Sequence, residues 1–208
     1  MSHRILCAAA LTALAACASA PVVEHPKLTD AELAQITAAM KSDFRARGQA
    51  KMDRLEQDAV KRACNLHADN PPESVAKPLE QAQLDAIRYP TGSLLGDWKS
   101  GAKIAESGRG MQWHEKPEEP GGGGCYNCHQ LSREQASYGT IGPSLNGFGK
   151  VRGNGPDVER YVYGKIYNAK AYSLCSMMPR FGSTGSLTEQ QMKDLTAYLL
   201  DPKSPVNQ

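Results

Sequence analysis

The residues with the clearest chemistry are those of the segment CYNCH, Cys125 to His129. Two cysteines separated by two residues and followed by a histidine form the attachment pattern of c-type haem, in which the thiols bond the porphyrin and the imidazole binds the iron. A thioredoxin-like redox disulfide is a weaker interpretation, because no βαβ pattern surrounds the motif. Half of a zinc site is also weaker, since no second Cys or His pair has metal-binding spacing. We therefore expect one covalent haem c on Cys125 and Cys128, with His129 as an axial ligand.

A second axial ligand is expected from the downstream segment CSMMPRFG. Met178 stands directly before a proline, in an irregular loop that can present its sulfur to the iron. Met177 is the nearest rival and would otherwise pack against the haem edge. His114 is the other candidate, although a solvated loop histidine is its ordinary interpretation. A thioether ligand raises the reduction potential relative to two histidines and favours electron transfer. No other residues resemble an activated nucleophile or an acid–base pair, so we expect no catalytic residue.

The first twenty residues have the pattern of a secretory signal peptide. Arg4 precedes the apolar run from Ile5 to Ala16, and the small residues of ACASA suit a signal peptidase. As a helix this run rises only about 18 Å, which is too short for a bilayer core of about 30 Å, and no other segment is apolar enough to span. We expect a periplasmic protein. Attachment to lipid through Cys17 is the alternative, because LAAC resembles a lipobox.

Two cysteines remain after those of the haem motif and of the signal segment are set aside, namely Cys64 and Cys175. Exported proteins commonly pair such thiols. We expect a disulfide that ties the N-terminal part of the chain to the methionine loop. The alternatives are two buried free thiols, or one thiol that is reactive or faces a partner.

The hydrophobic spacing predicts a mainly α protein with few strands. Capping boxes begin helices at Thr29 and Thr188, and Asp97 can cap another. The segment ADNPPESVAKP is expected to be a linker or a surface loop, and GTIGPSLNGFGKVRGNGP is expected to be extended or irregular. The expected helices are about 30–47, about 52–65, 96–108, one from Pro156 through Ile166, and a last one that stops at Pro202.

The amino-acid composition favours a folded protein and gives no sign of a nucleic acid or membrane partner. The 208 residues are 40% hydrophobic and carry 24 basic against 22 acidic side chains. A chain of this length can bury a core, so intrinsic disorder fits poorly. The near balance of charge gives no reason to expect a nucleic acid partner or an anionic membrane.

The C-terminal part of the chain, from Gly96, resembles the SoxX family, the monohaem subunits of the SoxAX cytochromes of bacterial thiosulfate oxidation. The resemblance rests on CYNCHQL, SYGTIGPSL, GNG, YVYGKIYNAKAYSLCSMMPRFG and LTEQQMKDLTAYLLDPKSPVNQ. Residues 21 to about 90 match less sharply. In monohaem cytochromes c, a proline in a GPxL segment offers its carbonyl to Nδ1 of the iron-bound histidine, a role that would fall to Pro143. An ordinary rigid turn is the alternative interpretation of GPSL.

The resemblance implies a fold and a domain order. It implies a class I cytochrome c-like haem domain over 96–208, preceded by a helical N-terminal arm and linker over 21–95 and a signal peptide over 1–20. Because the haem domain is complete without the arm, the apolar stripes of the arm are expected to help hold a partner.

The resemblance also implies a function. SoxAX is an L-cysteine S-thiosulfotransferase, which couples thiosulfate oxidatively to a cysteine of the SoxYZ carrier. The bond-forming haem lies on the SoxA-type subunit, so this chain would form a heterodimer with it and relay electrons to a small cytochrome c. The competing hypothesis is a free-standing periplasmic class I cytochrome c. A haem enzyme or gas sensor would need an open sixth position, which Met178 is expected to fill.

Overall fold

The structure is a computed structural model that describes residues 26–119 and 121–208. The expected signal peptide, including Cys17, lies outside the described residues. The described ranges contain α-helices and short 3-10 segments, and their single β-type contact is an isolated bridge between Arg47 and Ala50. The expectation of a mainly α, class I cytochrome c-like fold is confirmed. None of the helices in these ranges is both long and apolar enough to cross a bilayer.

The described residues form seven α-helices. They are α1 (Asp30–Asp43), α2 (Ala59–Leu66), α3 (Glu73–Asp85), α4 (Trp98–Glu106), α5 (Phe148–Arg152), α6 (Pro156–Tyr167) and α7 (Glu189–Leu200), with 3-10 segments at Met52–Leu55, Cys125–Asn127, Ala169–Ala171 and Pro205–Asn207.

Side-chain caps begin three helices where the sequence predicts them. The Thr29 and Thr188 hydroxyls accept the backbone N–H groups three residues on, and both capping boxes are complete. The Asp97 carboxylate accepts two backbone N–H groups at the start of α4. These caps satisfy donors that a helix N-terminus leaves unpaired, which is why the local sequence locates the starts well.

The first two expected helices are shorter in the structure than predicted. Helix α1 ends at Asp43 rather than near residue 47, because Phe44 is extended and residues 47–50 form a tight turn. The second expected helix is divided into a 3-10 turn at Met52–Leu55 and α2. Asp58 starts α2 by accepting the backbone N–H of Lys61. A side-chain cap thus fixed this start, which hydrophobic spacing alone did not reveal.

The prediction of a linker at ADNPPESVAKP is wrong, because most of this segment belongs to α3. Pro72 precedes the first residue of the helix, where a missing N–H costs nothing. Pro78 lies inside the helix, and packing compensates for its lost hydrogen bond, because Ala76 and Leu79 pack against the buried cluster of Val60, Cys64 and Leu174. The stretch expected to be irregular likewise contains the short helix α5.

The main core lies where α4 crosses α7. A Cβ on Gly101 of α4 would lie 2.1 Å from the carbonyl oxygen of Asp194, so only glycine allows this approach. Asp194 also accepts the backbone N–H of Asp97 at 2.9 Å. The buried side chains of this core are Ala105, Leu131, Val162, Tyr163, Ile166, Leu187, Met192, Leu195, Tyr198, Leu200 and Val206.

A second, smaller core joins the N-terminal helices to the C-terminal part of the chain. Its buried side chains are those of Leu174 and of Val60 and Cys64 in α2. Ala76, Leu79 and Cys175 contact this cluster. Cys64 and Cys175 form a disulfide with Cα atoms 5.6 Å apart. Helix α2 therefore buries its apolar face on this same chain, and α3 packs partly on the same core. The apolar stripe that includes α2 was expected to help hold a partner.

Candidate haem site

A tight turn places the three residues of the haem motif. In the 3-10 segment Cys125–Asn127, the Cys125 carbonyl oxygen accepts the backbone N–H of Cys128 at 3.1 Å and that of His129 at 2.9 Å. Both cysteines are free and half-buried. Burial raises the pKa of the Cys125 thiol to about 11, so this sulfur is protonated near neutral pH.

The imidazole of His129 is oriented by the loop that follows it. Its Nδ1 lies 2.7 Å from the carbonyl oxygen of Pro143. Because a carbonyl oxygen only accepts, Nδ1 donates, and the lone pair of the neutral ring is then on Nε2. A histidine held in this way is ready to bind a metal through Nε2, and the hydrogen bond strengthens it as a ligand.

Gly142 forms the wall against which this ring rests. A Cβ at position 142 would lie 2.2 Å from Cε1 of His129 and 2.5 Å from its Nδ1. The Gly142 N–H also donates to the carbonyl oxygen of Cys128 at 2.8 Å. The GPSL segment is therefore joined to the haem motif by two hydrogen bonds, one through Gly142 and one through Pro143. Glycine is needed at position 142 because the His129 ring occupies the space of a side chain.

The two candidate methionines have different environments. Met178 is half-buried and packs against the main core, whereas Met177 is 80% exposed. His114 is also exposed, and its ring contacts Trp113. Of the two thioethers, that of Met178 is therefore the one that the packing of the main core holds in place. This contrast favours Met178 as a ligand, as the sequence predicts.

These residues fit haem c by the chemistry of their donor atoms. Two free thiols at CxxC spacing would bond the porphyrin, and an imidazole with an available Nε2 and a half-buried thioether would bind the iron. Cys125, Cys128, His129 and Met178 are the residues that would hold the group, and Pro143 supports His129.

Sequence reasoning missed the polar contacts around residues 174–181, which we call the Met178 loop. Arg180 pairs with Asp58 and contacts Gln83, and the Lys170 ammonium donates to the Ser176 carbonyl oxygen at 2.9 Å. The contacts of Arg180 join residues that are 97 and 122 positions apart, so no local pattern could have revealed them. The Lys170 contact is only six positions long, but it depends on the shape of an irregular loop.

Comparisons with known proteins agree with this site. Residues 122–202 match the family model for cytochrome c. The chain is 36% identical over 156 residues to an uncharacterized lipoprotein of Aquifex aeolicus (strain VF5), a match that covers 73% of each protein. The chain belongs to the family of this relative. Its residues 122–202 are a cytochrome c domain, and Cys125, Cys128, His129 and Met178 all lie within it.

The solved structures to which the chain is similar include the crystal structure of SoxXA from P. pantotrophus. The identity is 22%, the TM-score is 0.41, and the match covers 58% of this chain and 92% of that chain.

Proposed function

We propose that this chain is an electron-relay cytochrome with one haem c, bound covalently through Cys125 and Cys128. The observation that carries the proposal is the His129 ring, which Pro143 and Gly142 hold with Nε2 available beside two free thiols. When bound, haem c supplies a one-electron iron couple.

The side chains of this chain supply orientation and a nonpolar surrounding. Pro143 keeps His129 in one tautomer, so Nε2 would be the nitrogen that holds the metal. The thioether of Met178, from a half-buried loop, would hold it as well. Held by both side chains, the metal would need no ligand exchange during electron transfer and would leave little access for small exogenous ligands. This arrangement supports a relay rather than a haem enzyme or a gas sensor.

The finer assignment is the SoxX-type subunit of a SoxAX complex, and the sequence motifs of the C-terminal part support it. In that reaction a carrier thiol of SoxYZ and thiosulfate join through a new sulfur–sulfur bond and release one proton and two electrons. The bond would form on a SoxA-type partner. This chain would pass the electrons on, one at a time, to a small cytochrome c acceptor.

A free-standing cytochrome is the second candidate, and the packing of the arm favours it. Helices α2 and α3 pack against Leu174 and Cys175 of this chain through the disulfide and the smaller core. The arm therefore has a structural role without any partner. A SoxA-type partner would cover large apolar side chains that remain exposed in the described part of the arm. The most exposed are Ile36 and Met40 of α1, at 44% and 47%, and the others are Met52, Leu84 and Leu95.

The proposed location is the periplasm, where haem c is attached to exported chains. The name of the A. aeolicus relative supports attachment through Cys17, the cysteine of the lipobox-like LAAC segment. Labelling of cells with a radioactive fatty acid checks this: a labelled wild-type protein and an unlabelled Cys17→Ser variant are expected for the anchored form, and an unlabelled wild type for the free form.

Copurification tests the relay against the free carrier. The tagged chain is isolated from the periplasmic or membrane fraction of its own host, and every band is stained for haem. A second haem-stained band at equal amounts is expected for the SoxAX assignment. The purified pair should then form a thiosulfate adduct on SoxYZ, and the chain alone should not. Adduct formation by the isolated chain would overturn the relay role, and a chain that elutes alone would support the free carrier.

A further inference from the structure

We propose that the N-terminal arm is an internal brace for Met178, with Asp58, Arg180 and the Cys64–Cys175 disulfide as its positioning groups. The inference rests on the proposed function, because it takes Met178 as a ligand of the iron. It gives the arm a task within the chain and predicts that damage to the arm alters the iron site from a distance.

Few backbone hydrogen bonds hold the Met178 loop next to the methionine. Of residues 177–181, Pro179 has no N–H and the other four donate to no backbone carbonyl of the described residues, although the Arg180 and Phe181 carbonyl oxygens accept from the N–H groups of Thr184 and Leu187. The N–H of Met178 itself donates to the Ser176 hydroxyl at 3.2 Å. Segments with few backbone hydrogen bonds open at low free-energy cost unless other contacts hold them.

The first tether lies just before the methionine. Cys175, three residues before Met178, is bonded to Cys64 of α2. The neighbouring Leu174 is 4% exposed and packs on Val60, which is 1% exposed. This side of the loop is therefore fixed covalently and by apolar packing to a helix of the arm.

The second tether lies just after the methionine. Arg180, two residues beyond Met178, pairs with Asp58, and its side chain is 15% exposed against 44% for Asp58. Arg180 also donates to the side-chain oxygen of Gln83 in α3 at 3.4 Å. Gln83 accepts in turn from Asn168 at 3.0 Å, so α3 contacts both the loop and the end of α6.

One tether precedes Met178 in the sequence and the other follows it. Both lead to the arm, and both use α2: Cys64 in its last turn and Asp58 at its cap. Lys170 adds one tether from the haem domain by donating to the carbonyl oxygen of Ser176 at 2.9 Å. Loss of the arm contacts would leave this lysine, the hydrogen bonds accepted by the Arg180 and Phe181 carbonyl oxygens and packing against the main core to hold the thioether. Met178 would then spend more time away from the iron.

Carbon monoxide binding to the reduced, full-length haem protein tests the brace, because carbon monoxide can bind only when Met178 has left. The gentle variant is Asp58→Asn, since asparagine still caps α2 and only the charge opposite Arg180 is lost. The stronger variant is Cys64→Ser with Cys175→Ser. The control is Asp30→Asn, which breaks the exposed Asp30–Arg62 pair between α1 and α2 without touching the loop.

We expect carbon monoxide to associate about twofold to fivefold faster with Asp58→Asn, as befits a partly exposed ion pair. The double cysteine variant should be faster by about tenfold or more. The far-red absorption band of ferric iron bound to a thioether should weaken in the same order, and Asp30→Asn should match the wild type. Circular dichroism shows whether each variant keeps its helices.

Met178→Ala provides the carbon monoxide association rate and the far-red absorption expected when the ligand is lost completely. If the wild type shows the far-red band and both brace variants keep the wild-type band and association rate, the brace is wrong while the ligand assignment stands. If the wild type itself lacks the band and binds carbon monoxide as fast as Met178→Ala, both the ligand assignment and the brace are wrong.

Discussion

His129 shows how single backbone groups prepare a metal ligand. The Pro143 carbonyl oxygen fixes its tautomer from 2.7 Å, and the missing side chain of Gly142 makes room for the ring. The two effects are separable, since one is a hydrogen bond and the other is a matter of volume.

Gly142→Ala should displace the His129 ring, because the added Cβ would lie 2.2 Å from Cε1. We expect the Soret spectrum to change and the ratio of bound haem to protein to fall. Gly155→Ala is the matched control, because the space around that Cβ is open and the backbone is extended rather than left-handed. Equal haem content and spectra in the two variants would contradict the close packing of His129 against Gly142.

Adjacent methionines allow a direct test of the sixth ligand. Met178→Ala should abolish the far-red band of the oxidised protein, because its half-buried sulfur is the expected ligand. Met177→Ala should leave the band unchanged, since that side chain is 80% exposed. The opposite result would transfer the ligand role to Met177.

At the scale of elements, α2 is short but makes two different kinds of contact. Its buried face supplies Val60 and Cys64 to the smaller core, and its cap residue Asp58 faces Arg180. Partial burial works to raise the pKa of Asp58, but hydrogen bonds from the Lys61 N–H and Arg180, with the positive charge of Arg180, outweigh it and lower the pKa.

The lowered pKa of Asp58 predicts a stability contribution that depends on pH. Since the folded-state pKa lies below the unfolded value, the contribution is present at neutral pH and is lost as the pH falls below about 4. It should not exceed about 1 kcal/mol, because Asp58 is 44% exposed and solvent screens the pair. Urea unfolding of wild type and Asp58→Asn at pH 7 and pH 3 should show a difference that shrinks in acid. A difference that stays constant with pH would contradict this assignment.

On the scale of the whole molecule, one disulfide closes a long loop of the described chain. Cys64 and Cys175 are separated by 111 residues, and the bond joins the arm to the cytochrome c domain. The large core around α4 and α7 does not include the arm helices, so the smaller core and this bond carry much of the connection.

Removal of the bridge in Cys64→Ser with Cys175→Ser should lower the free energy of unfolding by about 4 kcal/mol, because the unfolded chain regains the freedom of a long loop. Denaturant unfolding measures the change. Peptide mapping without reductant should first show one cross-linked pair in the wild type. Two native thiols open to alkylation would contradict the bridge.

The haem motif could be located from sequence because its chemistry is local. CxxCH has a fixed spacing within one turn, and the structure places Cys125, Cys128 and His129 in that turn. The starts at Thr29, Asp97 and Thr188 were equally accessible, since a cap acts within three residues. The count of cysteines left Cys64 and Cys175 as the pair to consider.

Only tertiary structure decided what covers the arm and what holds Met178. Pro72 and Pro78 favoured a linker, but burial of Ala76 and Leu79 outweighed the local cost of proline and produced α3. Arg180 and Asp58 are 122 positions apart, and no periodic pattern in the sequence indicates that they pair. Local sequence encodes caps, turns and covalent motifs, whereas contacts between distant residues depend on how whole helices pack.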